Sequence, residues 1–356
     1  MKERLMSPVP APMAWKGKDL AGTRSWIFEL SQEALRDIDA ALSGVRARGL
    51  KPEAITKADF PLPCLERDLE RLLDEIENGR GFVLVRGLPM RKYDVEHAAA
   101  AFCGISAHFG HFISQNARGD LITNVRDEGL TAGETNVRGY MTRGAQKFHT
   151  DNADIVALLC LRKAKSGGYS SVASSMASYN EFLEKHPRYL DRLYEGFRYD
   201  LHGEERPGFP SVTEHRIPVF SWHDGRLSCR YVYSAIVRAQ RKTGVPLGDD
   251  DMRLLELFNS IAERDDMRLE MDLLPGDMQF LNNHSVLHSR TEYEDHDDPA
   301  LKRHMMRLWI TPDQPRPLDP VFADRYGTGD RLGVPPARVG PDVSGQGACG
   351  DPLPAG

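Results

Sequence analysis

Leu274-Pro275-Gly276-Asp277-Met278-Gln279-Phe280-Leu281-Asn282-Asn283-His284-Ser285-Val286-Leu287-His288 is the stretch on which the fold turns. Pro-Gly-Asp is turn chemistry: proline presets one backbone angle, glycine accepts the other, and aspartate caps the bend. Met278 to Leu281 then reads as a buried strand. A polar break follows, and a second short apolar run ends in a histidine. Strands dominate from 267 to 310, each short and closely punctuated, unlike the regular alternation of strand and helix in parallel α/β folds. Gly81-Phe82-Val83-Leu84-Val85-Arg86-Gly87 is another such strand, bounded by glycine.

Around this centre lie helix-period segments. Ser31 is placed to cap a helix whose Leu35, Ile38, Leu42 and Val45 share one face. Leu65, Leu69, Leu72, Leu73 and Ile76 mark a second helix. Val95, Ala98, Ala99, Phe102 and Ile105 mark a third, and further helical patterns fall at about 175–196 and 249–264. The expected class is therefore α+β, mainly β: a barrel or double-sheet jelly roll with helices packed outside. Residues 1–22 read as an extended arm, 23–333 as a single domain, and the Pro/Gly-rich 334–356 as a flexible tail. Residues 126–146, with four glycines, read as a long loop of the kind that covers binding sites.

The net charge of −6 argues against nucleic acid as the main partner, which demands a concentrated basic surface. Five scattered cysteines, with no CxxC, form neither a disulfide framework nor a zinc-thiolate site. They suit the reduced thiols of a cytoplasm. The N-terminus lacks the apolar core of a signal peptide. Ile155–Leu161, the longest apolar run, is too short to span a bilayer, so no membrane partner is expected. The oligomeric state is open.

Phe148-His149-Thr150-Asp151 is the sharpest local signal. On extended backbone, residues i and i+2 face the same way, so His149 and Asp151 can reach one ion. Two imidazoles and a carboxylate form the facial triad of non-haem iron oxygenases. Alone, the pair equally suits a His and an Asp on a polar strand edge. His288, and beyond it Arg303-His304-Met305-Met306-Arg307-Leu308-Trp309-Ile310, supply the missing context. A buried Arg307 suits bidentate capture of a carboxylate; an exposed one would be an ordinary salt bridge.

Together these segments resemble the taurine dioxygenase/TfdA-like family of iron(II)- and 2-oxoglutarate-dependent dioxygenases, within the clavaminate synthase-like superfamily, from about Gly81 to Ile310. GFVLVRGLP resembles that family's N-terminal strand, FHTD its first ligand pair, and Ser166-Gly167-Gly168-Tyr169-Ser170 its Gly-Gly-x-Thr element. LNNHSVLH resembles its Asp-Asn-Arg-x-x-x-His segment, and RHMMRLWI its final Arg-bearing strand. The resemblance implies a double-stranded β-helix and iron(II) held by His149, Asp151 and His288. It implies that Arg307 binds the distal carboxylate of 2-oxoglutarate, supported by Ser170, with O2 as the second co-substrate. Asn282 and His284 stand where the pattern has Asp and Arg. Arg303 is the rival of Arg307, and His284 of His288. A carboxylate at 151 implies hydroxylation, or desaturation or ring closure, rather than halogenation, with release of succinate and carbon dioxide.

Substrate candidates are Asn136, Arg138, Tyr140 and Gln146 before the HTD, Arg230 and Tyr231 on an expected strand, and Arg290 after the last ligand. If they line one pocket, the substrate is a small polar molecule such as an amino acid or other carboxylate. Solvated loop residues are the plainer reading of each. Two other functions stay open on the residues alone. One is a zinc hydrolase, since the same ligands suit zinc, although no general base stands beside them and Arg307 is left unexplained. The other is a non-catalytic jelly-roll binding or sensing protein that has kept the metal site.

Overall fold

A computed structural model of the chain describes residues 3–130, 139–205, 208–324 and 333–335. It is a mixed α+β structure built on two sheets. The strands that matter are β1 (Ile27–Glu29), β2 (Phe82–Arg86), β3 (His111–Phe112), β4 (Ile122–Val125), β5 (Gln146–His149), β6 (Ile155–Arg162), β7 (Ser170–Ser174), β8 (Arg268–Met271), β9 (Met278–Asn282), β10 (Val286–Arg290) and β11 (His304–Thr311). The larger sheet runs β1-β2-β9-β6-β11-β3, with β4 also on β11. The smaller runs β8-β7-β10-β5. Every pairing is antiparallel except β1 with β2.

The two sheets share a core. Phe82, Leu84, Val156, Leu281 and Trp309 of the larger pack with Val172, Leu269 and Val286 of the smaller. Alternate residues face the other way. Val83, Val85 and Phe280 meet Ile38, Leu69, Leu72, Phe102 and Ile105 of the helices Gln32–Ala47 (α1), Glu66–Glu77 (α2) and Val95–Ser106 (α3). Ala173 and Leu287 meet Phe182 of Ser175–Lys185 (α4) and Phe258 and Ile261 of Asp249–Glu263 (α6). Helices therefore cover both outer faces. That explains why Phe82–Val85 of β2 is a continuous apolar run and why β9 is buried at every position, Gln279 and Asn282 included: both their faces are covered.

Local signals account for most boundaries. The Ser31 hydroxyl accepts from the Ala34 N–H and starts α1. In the 274–277 turn, Gly276 has φ +91°, and a Cβ there would lie 2.1 Å from the Leu88 carbonyl oxygen. Only glycine fits. Arg86 donates to both oxygens of the buried Asp277, at 2.9 and 2.7 Å, and Asp277 accepts from the Leu274 N–H. This fork bolts the turn to β2.

Four expectations need correction. Residues 1–22 are not extended throughout: Gly17–Ala21 is a short helix, and Trp15 is buried with its indole N–H on the Arg80 carbonyl. Val95 is 46% exposed, since it opens α3 beside its capping Asp94. Val334, assigned to the tail, is fully buried and pairs with Ser114 through its backbone N–H; residues 336–356 lie outside the described residues. The helix Tyr233–Thr243 (α5) was not anticipated; only Ala235, Ile236 and Ala239 of it are buried. No helix of the described residues is long and apolar enough to cross a membrane. The described cysteines are free thiols, and only Cys64 is exposed.

Candidate metal centre and active-site cavity

β5 and β10 are neighbours in the smaller sheet, and their register sets His149 directly opposite His288. The two rings lie 4.3 Å apart, centroid to centroid. Val286 faces the inter-sheet core, so His288, two residues on, faces inward too. Asp151 follows β5 by two residues and turns to the same point. One ligand atom from each of His149, Asp151 and His288 lies within 4.8 Å of the other two.

The surroundings fix how each ligand presents itself. His149 Nδ1 lies 2.8 Å from the Lys147 carbonyl oxygen, so that nitrogen carries the proton and Nε2 keeps its lone pair. Nε2 is 3.8 Å from Asp151 Oδ1. Asp151 Oδ2 is taken: it accepts from Arg307 Nη1 at 3.0 Å and from the Trp309 indole N–H at 2.9 Å. The Asp151 backbone N–H donates to Asn283 Oδ1 at 2.9 Å. One carboxylate oxygen is thus tied back and the other is aimed at the two imidazoles.

Electrostatics favour the ligand forms. Burial pushes the Asp151 pKa up, but Arg307, the two imidazoles and the indole N–H outweigh it and hold the carboxyl well below the usual range. Burial, with His149 beside it, pushes His288 down to about 3, so its imidazole is neutral at ordinary pH. An ionised carboxylate and two neutral imidazoles are the donor set of a divalent transition metal. The residues fit iron(II).

Arg307 does not meet Ser170. Arg307 donates through Nε to Gln115 Oε1 at 2.8 Å and stacks at 4.8 Å from the Tyr140 ring, on the Asp151 side. Gln115 is itself fixed by Thr123, Leu121 O and Arg307 O. Ser170 lies in the smaller sheet, paired with Arg290 in register, its hydroxyl 3.2 Å from Gln279 Oε1. The rival Arg303 is 6% exposed and Arg290 is 7% exposed. They flank one ring, 5.1 and 4.8 Å from the centre of Tyr293. Arg303 Nη1 and Arg290 Nε and Nη1 have no hydrogen-bond partner among the described residues. Burial lowers both pKa values, and at Arg290 the nearby Arg303 guanidinium adds to the effect, bringing it to about 10. At Gly168 (φ +72°) an added Cβ would lie 3.2 Å from Arg303 Nε, so this glycine lets the strand approach the guanidinium.

A cavity of about 390 Å³ opens over His149 and Asp151. His149, Asp151, Arg307, Trp309 and Gln115 line it, with Tyr140, Gln146 and Lys147 on one side and Asp200, Arg230, Tyr233 and Arg238 on another. Of the substrate candidates, Tyr140, Gln146 and Arg230 line it; Asn136 and Arg138 lie outside the described residues. Tyr231 does not reach it. Arg230 and Tyr231 follow the strand Arg226–Cys229, and alternation sends them apart. The Tyr231 ring stacks 4.1 Å from Phe258, and its hydroxyl donates to the Leu255 carbonyl. Arg290 is not on the cavity wall either. His284 pairs at 2.7 Å with the buried Asp154, away from the ligands.

Sequence reasoning missed Gln115, Lys147, Asn283 and Trp309. Trp309 was within reach, two residues beyond Arg307 on one strand. Asn283 carried a hint in the NNH run. Gln115 carried none, since Arg307, the partner that ties it to the site, is 192 residues away.

The chain belongs to the TauD/TfdA family, described as taurine catabolism dioxygenases, which it matches over residues 46–309. It is an iron(II)- and 2-oxoglutarate-dependent dioxygenase, an oxidoreductase. It is 32% identical to FR-33289 synthase of Streptomyces rubellomurinus over 314 residues, 87% of this chain and 92% of that one. It is 31% identical to the taurine hydroxylase-like protein SAT17 of Stachybotrys chartarum, over 83% of this chain and 78% of that one. Among solved structures it is similar to asparagine oxygenase in complex with Fe(II), 3-hydroxyasparagine and succinate. The TM-score is 0.64 at 17% identity, over 80% of this chain and 93% of that one.

Proposed function

We propose that His149 Nε2, Asp151 Oδ1 and His288 hold iron(II), and that Arg303, with Arg290 and Ser170, takes the distal carboxylate of 2-oxoglutarate in place of Arg307. The carrying observation is the division of labour at Asp151. Arg307 and Trp309 bind one oxygen and leave the other facing both imidazoles. Arg307 is already engaged there, whereas Arg303 Nη1 and Arg290 Nε and Nη1 are buried without a partner among the described residues. A buried unpaired guanidinium is unfavourable unless an anion completes it. The pair of facing sheets, together with the family, supports a double-stranded β-helix core and a single domain from about residue 23 to 335.

When bound, iron and 2-oxoglutarate supply oxygen activation, with succinate and carbon dioxide as by-products. The chain supplies position. Asp151 stays ionised because Arg307 compensates its charge. Trp309 fixes its rotamer, and the Lys147 carbonyl fixes the His149 tautomer. The inter-sheet core behind the ligands excludes water.

The organic substrate occupies the cavity of about 390 Å³, whose size suits a small molecule. Lys147 and Arg230 on its walls favour an anionic group, while Asp200 is already paired with Arg238 and Lys242. This supports the hydroxylation of a small polar substrate such as an amino acid or other carboxylate. The hydroxyasparagine in the asparagine oxygenase structure points the same way. The relative named uridine-5'-phosphate dioxygenase, from Amycolatopsis sp, 28% identical over 48% of this chain and 62% of that one, extends the range of anions worth trying. The test is a panel of amino acids, carboxylates and phosphate esters incubated with iron(II), ascorbate and 2-oxoglutarate. A product heavier by one oxygen, with stoichiometric succinate, supports the reading. No succinate with any member, coupled or uncoupled, refutes it.

A further inference from the structure

Arg290 has two halves with different surroundings. Its Nη2 donates to the carbonyl oxygens of Thr142 (2.9 Å) and Gly144. Between them, the Arg143 carbonyl accepts from the Tyr293 backbone N–H at 3.2 Å. Three consecutive carbonyls of one segment are therefore gripped by Arg290 and its neighbour. That segment is part of the substrate cavity wall: Tyr140, Thr142, Ala145 and Gln146 line the cavity, and it runs straight into β5 and His149. The other half of Arg290, Nε and Nη1, is buried beside Arg303 without a partner among the described residues.

We propose that Arg290 is a positioning residue that couples the co-substrate pocket to the substrate wall, so that an anion against its Nε/Nη1 edge orders residues 139–146. The inference rests on the co-substrate assignment made above. Without an anion, two buried guanidinium groups crowd one tyrosine ring and repel each other. That repulsion opposes the Arg290 rotamer that grips Thr142 and Gly144. A carboxylate between the two cations reverses the sign of the interaction and holds the planar fork in place. Bidentate geometry is essential to the grip, because one planar group must serve two carbonyls and an anion together. Lysine carries the charge but has no such fork. Co-substrate and substrate would then each strengthen the binding of the other, a coupling between two sites through one side chain.

The test is hydrogen–deuterium exchange on the anaerobic iron(II) enzyme, full chain, with and without 2-oxoglutarate, alongside calorimetric titration of 2-oxoglutarate. In the wild type, saturating 2-oxoglutarate is expected to slow exchange in peptides covering 139–149 by at least about fivefold. Arg290→Lys is expected to bind 2-oxoglutarate more weakly and, even at saturation, to lose most of that slowing. Binding without any change in the 139–149 peptides of the wild type overturns the coupling, and needs no variant. Full slowing in Arg290→Lys overturns the role of Arg290. If Arg303→Gln binds 2-oxoglutarate as the wild type does, the co-substrate assignment itself fails and the coupling falls with it.

Discussion

Arg307 Nη1 donates to Asp151 Oδ2 at 3.0 Å, across 156 residues of sequence. The arginine that the family pattern suggests for the co-substrate is the ion-pair partner of Asp151, and our proposal gives the co-substrate to Arg303. The two arginines four residues apart should therefore fail in different ways. Arg303→Ala is expected to raise the 2-oxoglutarate KM by about 30-fold or more, the effect of removing one partner of a buried charged pair. Arg307→Ala should change that KM little and weaken iron(II) retention and substrate coupling. Steady-state succinate formation and metal titration on both variants separate the effects. The opposite pattern would restore Arg307 as the anchor.

Trp309 tests the back of the site. Trp309→Phe keeps an aromatic ring but deletes the donor to Asp151 Oδ2. Support of this kind is worth about 10–100-fold in metal affinity. Anaerobic iron(II) titration should show a weaker Kd with a near-native melting temperature. Unchanged affinity would mean that Arg307 alone orients Asp151.

Acid stability follows from the buried imidazoles. Burial pushes His304, whose Nε2 contacts Asn124 Oδ1 at 2.7 Å, down to about 4. Below the ordinary histidine pKa, near 6.5, the unfolded chain takes up a proton that the folded chain refuses. Stability therefore falls as the pH drops from about 6.5 towards 4, with each such group contributing up to about 1.4 kcal/mol per pH unit. His304→Asn should flatten part of that slope in urea denaturation measured at several pH values. An identical slope would show that His304 protonates in the folded state.

Asp200 holds one cavity wall. Its buried carboxylate accepts from Arg238 and Lys242 of α5 at 2.7 Å each and from the His202 N–H. Burial opposes its ionisation, but these donors win and hold its pKa far below the usual range. Asp200→Asn should destabilise the protein by about 1–3 kcal/mol. The two cations are half-exposed and recover water, so the lower end is expected. It should also loosen α5, read as faster amide exchange in 233–243. No change in either would make Asp200 a bystander.

The candidate ligands were legible because HxD on extended backbone puts both side chains on one face, and because HTD, NNHSVLH and RHMMRLWI come in order. Helices with a full apolar stripe were legible too, down to the Ser31 cap. The helix 233–243 was not, since only three of its side chains are buried. Arg303 and Arg307 could not be told apart because both fall on alternate positions of one segment. Periodicity gives the face, while depth along the sheet decides which one meets Asp151. Tyr231 failed for the complementary reason: its neighbour Arg230 took the cavity side.

The pairing of Arg307 with Asp151 also sets the charge count of the cavity floor. His149 and His288 in their ligand forms are neutral, and Arg307 cancels Asp151. The floor is therefore electrically neutral before any ion arrives. A divalent cation there keeps its full double charge unmatched, and a dianion is the species that balances it. The neutral amide of Gln115, fixed by two backbone carbonyls on its nitrogen side, leaves that balance undisturbed, whereas a glutamate at 115 would add a negative charge to the floor and set an oxygen against those carbonyls.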